Sequence, residues 1–92
     1  MARKLLERIT AAADLQEESV MQHPLVEIAG DRRVLIEHHH GVTQYGRCQI
    51  RVRVKYGAVV VEGTQLELLR MCAEQLIISG KIDNIRLERS GN

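Results

Sequence analysis

Residues 50–55 read Ile-Arg-Val-Arg-Val-Lys, a strict alternation of aliphatic and cationic side chains. Successive side chains of a β-strand point to opposite faces, so the alternation predicts a strand with one face on the core and one in solvent. The solvated face carries Arg51, Arg53 and Lys55. The stretch therefore predicts a sheet that has one solvated face.

Short aliphatic runs continue on both sides of this strand, and glycines separate many of them. Each run predicts a strand: residues 25–28, 34–36, 58–61, 65–69, 75–79 and 82–87. Gly30, Gly46, Gly63 and Gly80 follow one another at intervals of 16 or 17 residues. Glycine adopts positive φ at no steric cost, so each is expected to mark a turn. The pattern predicts a mainly β fold, a small antiparallel sandwich or roll of seven to eight short strands. A short β-solenoid with coils of about 17 residues fits the same period and stays open as an alternative.

The first part of the chain has a different period. In residues 2–15, Leu5, Leu6, Ile9, Ala12 and Ala13 recur at helical spacing with charges between them. This spacing predicts an N-terminal amphipathic helix, which either covers the β domain or docks on a partner or a membrane surface. We therefore divide the chain into a helix and connector over residues 1–22 and a β domain over residues 23–92.

Composition argues against several classes of function. The formal net charge of the 92 residues is +1, which gives no long-range attraction to nucleic acid or anionic lipid. Arg51, Arg53 and Lys55 could meet phosphates, but the chain has only two aromatic residues for base stacking, so we expect no nucleic-acid partner. Cys48 and Cys72 lack the spacing of a redox or zinc site and are expected to be reduced cytoplasmic thiols. No apolar run is long enough for a membrane span.

No arrangement of residues predicts catalysis. The chain shows no spaced nucleophile and base, no placed pair of acids and no phosphate-binding loop, so we expect neither an enzyme nor a cofactor. In an extended strand His38 and His40 share one face and could hold a metal if Glu37, His23 or Cys48 supplied a third ligand. Nothing in the spacing requires this. We expect no metal site, and a metal- or ligand-binding module at His38 and His40 is the alternative.

Several segments in a fixed order carry a family resemblance. They are residues 24–30 (PLVEIAG), 36–42 (IEHHHGV) followed by Tyr45, 50–52 (IRV), 59–63 (VVVEG) and 77–82 (IISGKI). Together they resemble the YabP/YqfC family of sporulation proteins, in particular its YqfC branch. The family pattern has Asn at the position of His38 and Lys or Arg at the position of His40, so this chain departs from it at both.

The resemblance implies a role in endospore formation in the mother cell, beside a membrane protein encoded next to it, and implies no catalytic residues. We therefore expect a non-enzymatic assembly or adaptor protein in the mother-cell cytoplasm, acting through a sheet edge or face. Its partners would be a membrane-anchored sporulation protein or further copies of itself. Glu37, His39, Gly41 and Tyr45 are the candidate partner-contact corner. The other interpretation is that these residues hold a turn by hydrogen bonds.

Overall fold

A computed structural model describes residues 23–90, and these residues form one antiparallel sheet with no helix. The sheet has six strands in the order β1-β2-β6-β5-β4-β3. The helix predicted for residues 2–15 lies outside the described residues. The strands are β1 (Leu25–Ala29), β2 (Arg33–Glu37), β3 (Val42–Tyr45), β4 (Gln49–Val54), β5 (Gly57–Met71) and β6 (Gln75–Arg89).

Strands β5 and β6 form a long hairpin that joins two parts of the sheet. Each strand has 15 residues, and they pair from Gly57 opposite Arg89 to Met71 opposite Leu76. The first half of β5 also pairs with β4, and the first half of β6 with β2. The β3–β4 arm contains β3, β4 and residues 57–62 and 84–89; the β1–β2 arm contains β1, β2 and residues 67–71 and 75–79.

The long hairpin bends back at its middle. A straight strand would place Ala58 and Cys72 about 46 Å apart. Instead, two neighbouring residues of the β2–β3 linker bond near both of these positions. The backbone N–H of His40 donates to the carbonyl of Arg53 at 2.7 Å, and Arg53 is the β4 residue opposite Ala58. The ring of His39 bonds the carbonyl of Cys72 at 2.9 Å. Both arms therefore contribute to one core.

The core is aliphatic, as a chain without Phe or Trp requires. On β4 the side chains of Ile50, Val52 and Val54 are buried while Arg53 is exposed, which confirms the predicted alternation. The buried cluster draws on β2, β4, β5 and β6. It contains Val34, Ile36, Ile50, Val52, Val54, Val59, Val61, Leu66, Leu76 and Ile78.

Two of the regularly spaced glycines lie inside strands, and this corrects the predicted strand count. A Cβ on Gly63 would lie 1.9 Å from the carbonyl oxygen of Lys81, and one on Gly80 would lie 2.7 Å from that of Gln65. The register of the hairpin shifts beside both glycines. A glycine can lie in a turn at the end of a strand, but it can equally mark a bulge or a close backbone approach inside a strand. Residues 58–87 therefore form two long bent strands where four short ones were predicted.

The observed pairing also decides between the predicted architectures. All neighbouring strands are antiparallel, whereas the coils of a β-solenoid stack in parallel, so the solenoid alternative is wrong. The six strands form one continuous open sheet in place of the two sheets of a sandwich. Strand β3 was not predicted, because Val42–Tyr45 has three exposed residues and a short polar sequence.

Candidate functional site

His39 is a buried polar residue that joins two distant parts of the chain. Its side chain is 6% exposed. Nδ1 accepts a hydrogen bond from the backbone N–H of Gly41 at 2.9 Å, so the hydrogen of the neutral ring is on Nε2, which donates to the carbonyl of Cys72 at 2.9 Å. The imidazole thus connects the β2–β3 linker to the β5–β6 turn.

The residues beside His39 reinforce the same connection. The backbone N–H of His38 donates to the carbonyl of Glu74 at 2.6 Å, and His38 has a left-handed φ of 64°. Glu37 Oε2 accepts a hydrogen bond from Gln75 Nε2 at 3.2 Å. We call this group the histidine corner: Glu37, His38, His39 and Gly41 against residues 72–75. Its hydrogen bonds give it a structural role, and contact with a partner at this corner stays a prediction.

Tyr45 does not join the histidine corner. It lies at the other end of β3, opposite Ile50, and is exposed. Its hydroxyl accepts a hydrogen bond from the backbone N–H of Leu68 at 3.4 Å. The four candidate residues of the sequence therefore divide into three at the corner and one that links β3 to β5.

The metal alternative at the histidine run needs a third ligand. His38 is half-buried and His40 is exposed. Within residues 23–90, no three His, Cys, Asp or Glu side chains come close enough together to hold a metal ion. The described part of the chain also contains no helix long and apolar enough to cross a bilayer.

The outer face of the β3–β4 arm carries ion pairs across two buried apolar residues. Ala58 and Val60 are buried on this face, between β4 and β6. Arg51 pairs with Glu88, and Arg86 pairs with Glu88 at 2.8 Å and with Glu62 at 3.4 Å. Within the cationic row predicted on β4, the charge of Arg51 is therefore offset by Glu88 of β6.

The second half of β6 forms an open edge among the described residues. Strand β2 pairs with β6 only over Gln75–Ser79, and the N–H of Ile82 donates to the carbonyl of Asp31 at 2.7 Å. Residues 83–89 have no further strand on that side in the described part of the chain. We call residues 84–89 the β6 edge.

The hydrogen-bond pattern shows which backbone groups point outward from the β6 edge. The N–H of Ser90 donates to the carbonyl of Tyr56 at 2.8 Å, so these two residues form a hydrogen-bonded pair. Hydrogen-bonded and non-hydrogen-bonded pairs alternate in an antiparallel ladder, and the register is constant from this pair to Glu62 opposite Asn84. Ile85 and Leu87 therefore belong to non-hydrogen-bonded pairs and direct their N–H and C=O groups toward the open side.

The β6 edge also exposes an apolar side chain next to the core. Leu87 is 60% exposed, although it lies opposite Val59, which is fully buried on the same face of the sheet. Ile85, two residues earlier, packs against the core. A partner strand at this edge would cover Leu87 and bond the outward backbone groups.

The other edges of the described sheet are less regular or shorter. Strand β3 is bulged between Val42 and Gln44, and the second half of β5 has a register shift between Leu68 and Arg70. Strand β1 has five residues. Bulges and short length make an edge a poor template for another strand. The β6 edge keeps one register over all six of its residues, so it is the best template.

Sequence reasoning placed residues 82–87 in a strand but gave them no role in binding. The alternation of Ile85 and Leu87 with Arg86 and Glu88 is the signal that was present. The edge is open because β2 stops pairing with β6 at Ser79, and this depends on how the distant strands pair in the folded chain.

Comparison with known proteins gives two matches. A sequence model of the YabP family matches residues 21–92, a range that includes all six strands. The chain is also similar to the uncharacterized protein YqfC of Bacillus subtilis (strain 168), with 23% identity over 82 residues, which is 89% of this chain and 88% of YqfC. No solved structure matches the chain. The resemblance predicted from the sequence segments is thereby confirmed.

Proposed function

The chain belongs to the YabP family, and from this premise we propose that it is a non-enzymatic assembly module in endospore formation that binds a protein partner at the β6 edge. The family is associated with sporulation. The protein acts in the mother-cell cytoplasm, where its partner is a membrane-anchored sporulation protein or a second copy of the chain.

The observation that carries the proposal is the regular, open β6 edge. Ile85 and Leu87 direct their backbone N–H and C=O groups outward. A partner strand could form main-chain hydrogen bonds with these groups, which is the binding mode called β-strand addition. Covering the exposed part of Leu87 contributes about 1–2 kcal/mol on the scale for burying a leucine side chain. Main-chain bonds supply affinity, and the side chains beside them supply specificity.

The environment of the polar side chains supports a non-enzymatic role. Both ring nitrogens of His39 are used in bonds that hold the chain together. Glu62 and Glu88 are engaged by arginines on the outer face. These groups stabilise the sheet, and assembly uses backbone groups and aliphatic surface instead.

Substitution of Leu87 by Lys in sporulating cells tests the proposal. A charged side chain at this position has to be desolvated when a strand is added, so we expect lower spore yield and less partner recovered with the tagged protein. Ile28→Lys is the matched control, because Ile28 is 54% exposed on β1 and undergoes the same change of side chain away from the β6 edge. Normal spore yield with a folded Leu87→Lys protein would refute the proposal.

A further inference from the structure

The β6 edge is complementary to itself, and we infer that it pairs with the β6 edge of a second copy of this chain, antiparallel and centred on Leu87. The inference rests on the proposed function, because it names an occupant of the same edge. It follows from the order of residues 83–89 (Asp-Asn-Ile-Arg-Leu-Glu-Arg) and from which of them direct backbone groups outward.

Only a few registers let two such edges bond. Arg89, opposite Gly57 in the same register, directs its backbone groups outward as Ile85 and Leu87 do. Outward groups must meet outward groups, so each odd-numbered residue of this edge must face an odd-numbered residue of β6 in the second copy. Pairing centred on Arg86 places two arginines opposite each other, and pairing centred on Glu88 places two glutamates opposite each other; like charges in cross-strand pairs are destabilising. Pairing centred on Ile85 places Leu87 opposite Asp83, which leaves an apolar side chain against a carboxylate.

Pairing centred on Leu87 avoids both conflicts. It places Ile85, which already packs against the core of its own chain, opposite Arg89. The two Leu87 side chains meet on the face where Val59 is buried, and their exposed surface is removed from water. On the opposite face Arg86 of each copy lies beside Glu88 of the other, which gives two cross-strand pairs of opposite charge. The charge pattern and the apolar contact therefore agree on one register.

The resulting assembly closes on itself. A two-fold axis through the Leu87 pair uses the same surface on both copies, so the contact is isologous and stops at a dimer. Four strands from each copy, in the order β3-β4-β5-β6, would form one continuous sheet across the axis. Both β6 edges are covered in this dimer.

Exchange of the two charges tests the register. Arg86→Glu makes positions 86 and 88 both acidic, and Glu88→Arg makes them both basic, so in the dimer of each variant these two positions meet like charges. We expect the dissociation constant of each dimer to rise about tenfold or more, since two pairs change from attraction to repulsion. In an equimolar mixture of the two variants every acid again faces a base, and dimer formation should recover.

The measurement is light scattering of the full 92-residue chain over a range of concentrations, with reductant present because Cys48 and Cys72 are exposed. Arg70→Glu makes the same change of charge on exposed Arg70, away from the edge, and is expected to leave the dimer intact. Circular dichroism of each variant checks that the sheet is retained.

A crosslink supplies a second test that does not alter the charges. In a chain with Cys48→Ser and Cys72→Ser, Leu87→Cys is expected to form a disulfide dimer on mild oxidation, because directly opposed hydrogen-bonded residues lie about 5.5 Å apart between Cα atoms. Asp83→Cys, which is far from its counterpart in this register, is expected to remain unlinked.

The outcomes separate this inference from the proposed function. A wild-type chain that stays monomeric at high concentration, or a mixture of charge variants that does not recover the dimer, overturns the inference. If the wild type is monomeric and Leu87→Lys still abolishes sporulation, the edge binds a different protein and only the proposed function stands. If the dimer forms as described but Leu87→Lys supports normal sporulation, only the inference stands.

Discussion

Replacement of His39 by Ala should destabilise the fold by removing the side-chain link between the β2–β3 linker and the β5–β6 turn. The substitution leaves the N–H of Gly41 and the carbonyl of Cys72 without their observed partner. Because Cys72 is exposed and its carbonyl can bond water, we take about 1 kcal/mol for each lost bond, near the middle of the usual range. The expected loss is about 2 kcal/mol, which lowers Tm by about 8–16 °C in a domain of this size.

Two further substitutions divide this loss between the two bonds. In His39→Asn the amide oxygen can take the place of Nδ1 toward Gly41, but the side chain is too short to reach Cys72. In His39→Gln the amide nitrogen can reach Cys72, while the bond to Gly41 is lost. We expect each variant to lose part of the stability that His39→Ala loses.

Thermal and urea unfolding followed by far-ultraviolet circular dichroism measure these effects. His40→Ala is the matched control, because His40 is exposed and its backbone bond to Arg53 is unchanged, so its stability should stay within about 0.5 kcal/mol of wild type. If His39→Ala unfolds at the same temperature as His40→Ala, the histidine corner does not hold the two arms as described.

Four other substitutions test three separate parts of the structure. His38→Asn should stabilise the fold by about 0.5–1 kcal/mol, because Asn tolerates the left-handed φ of 64° better, and an unchanged urea midpoint would contradict this. Gly63→Ala should cost at least about 2 kcal/mol, since its Cβ would collide with the carbonyl of Lys81; a wild-type Tm would show that the hairpin approach is wrong. Leu87→Pro should leave the fold intact, because the N–H of residue 87 points outward. Arg86→Pro removes a hydrogen bond to β5 and should cost about 3 kcal/mol of stability. Equal stabilities of the two variants would refute the assigned pattern of outward and inward N–H groups.

The sequence predicted the strands more successfully than it predicted how they connect. Alternation in residues 50–55 identified β4 and its buried face, because a period of two is set by backbone geometry alone. Gly63 and Gly80 were assigned to turns, since a glycine in a turn and one in a bulge have the same local signature. Whether the chain reverses or only bends at such a glycine depends on strands that pair far away in sequence.

The candidate site was predicted in part for the same reason. Glu37, His39 and Gly41 are near one another in sequence, and the structure brings them together against the β5–β6 turn. Tyr45 was grouped with them by proximity in sequence, but its side chain contacts β5. The β6 edge was not predicted as a site, because nothing in residues 84–89 shows that β2 stops before reaching them.

Amide hydrogen exchange along β6 tests the central claim most directly. In dilute solution the N–H groups of Ile85 and Leu87 should exchange much faster than those of Arg86 and Glu88, which bond to β5, and they should gain protection as the chain associates or binds its partner. Equal protection of all four amides in dilute solution, or no change in Ile85 and Leu87 on association, would contradict an open edge that serves assembly.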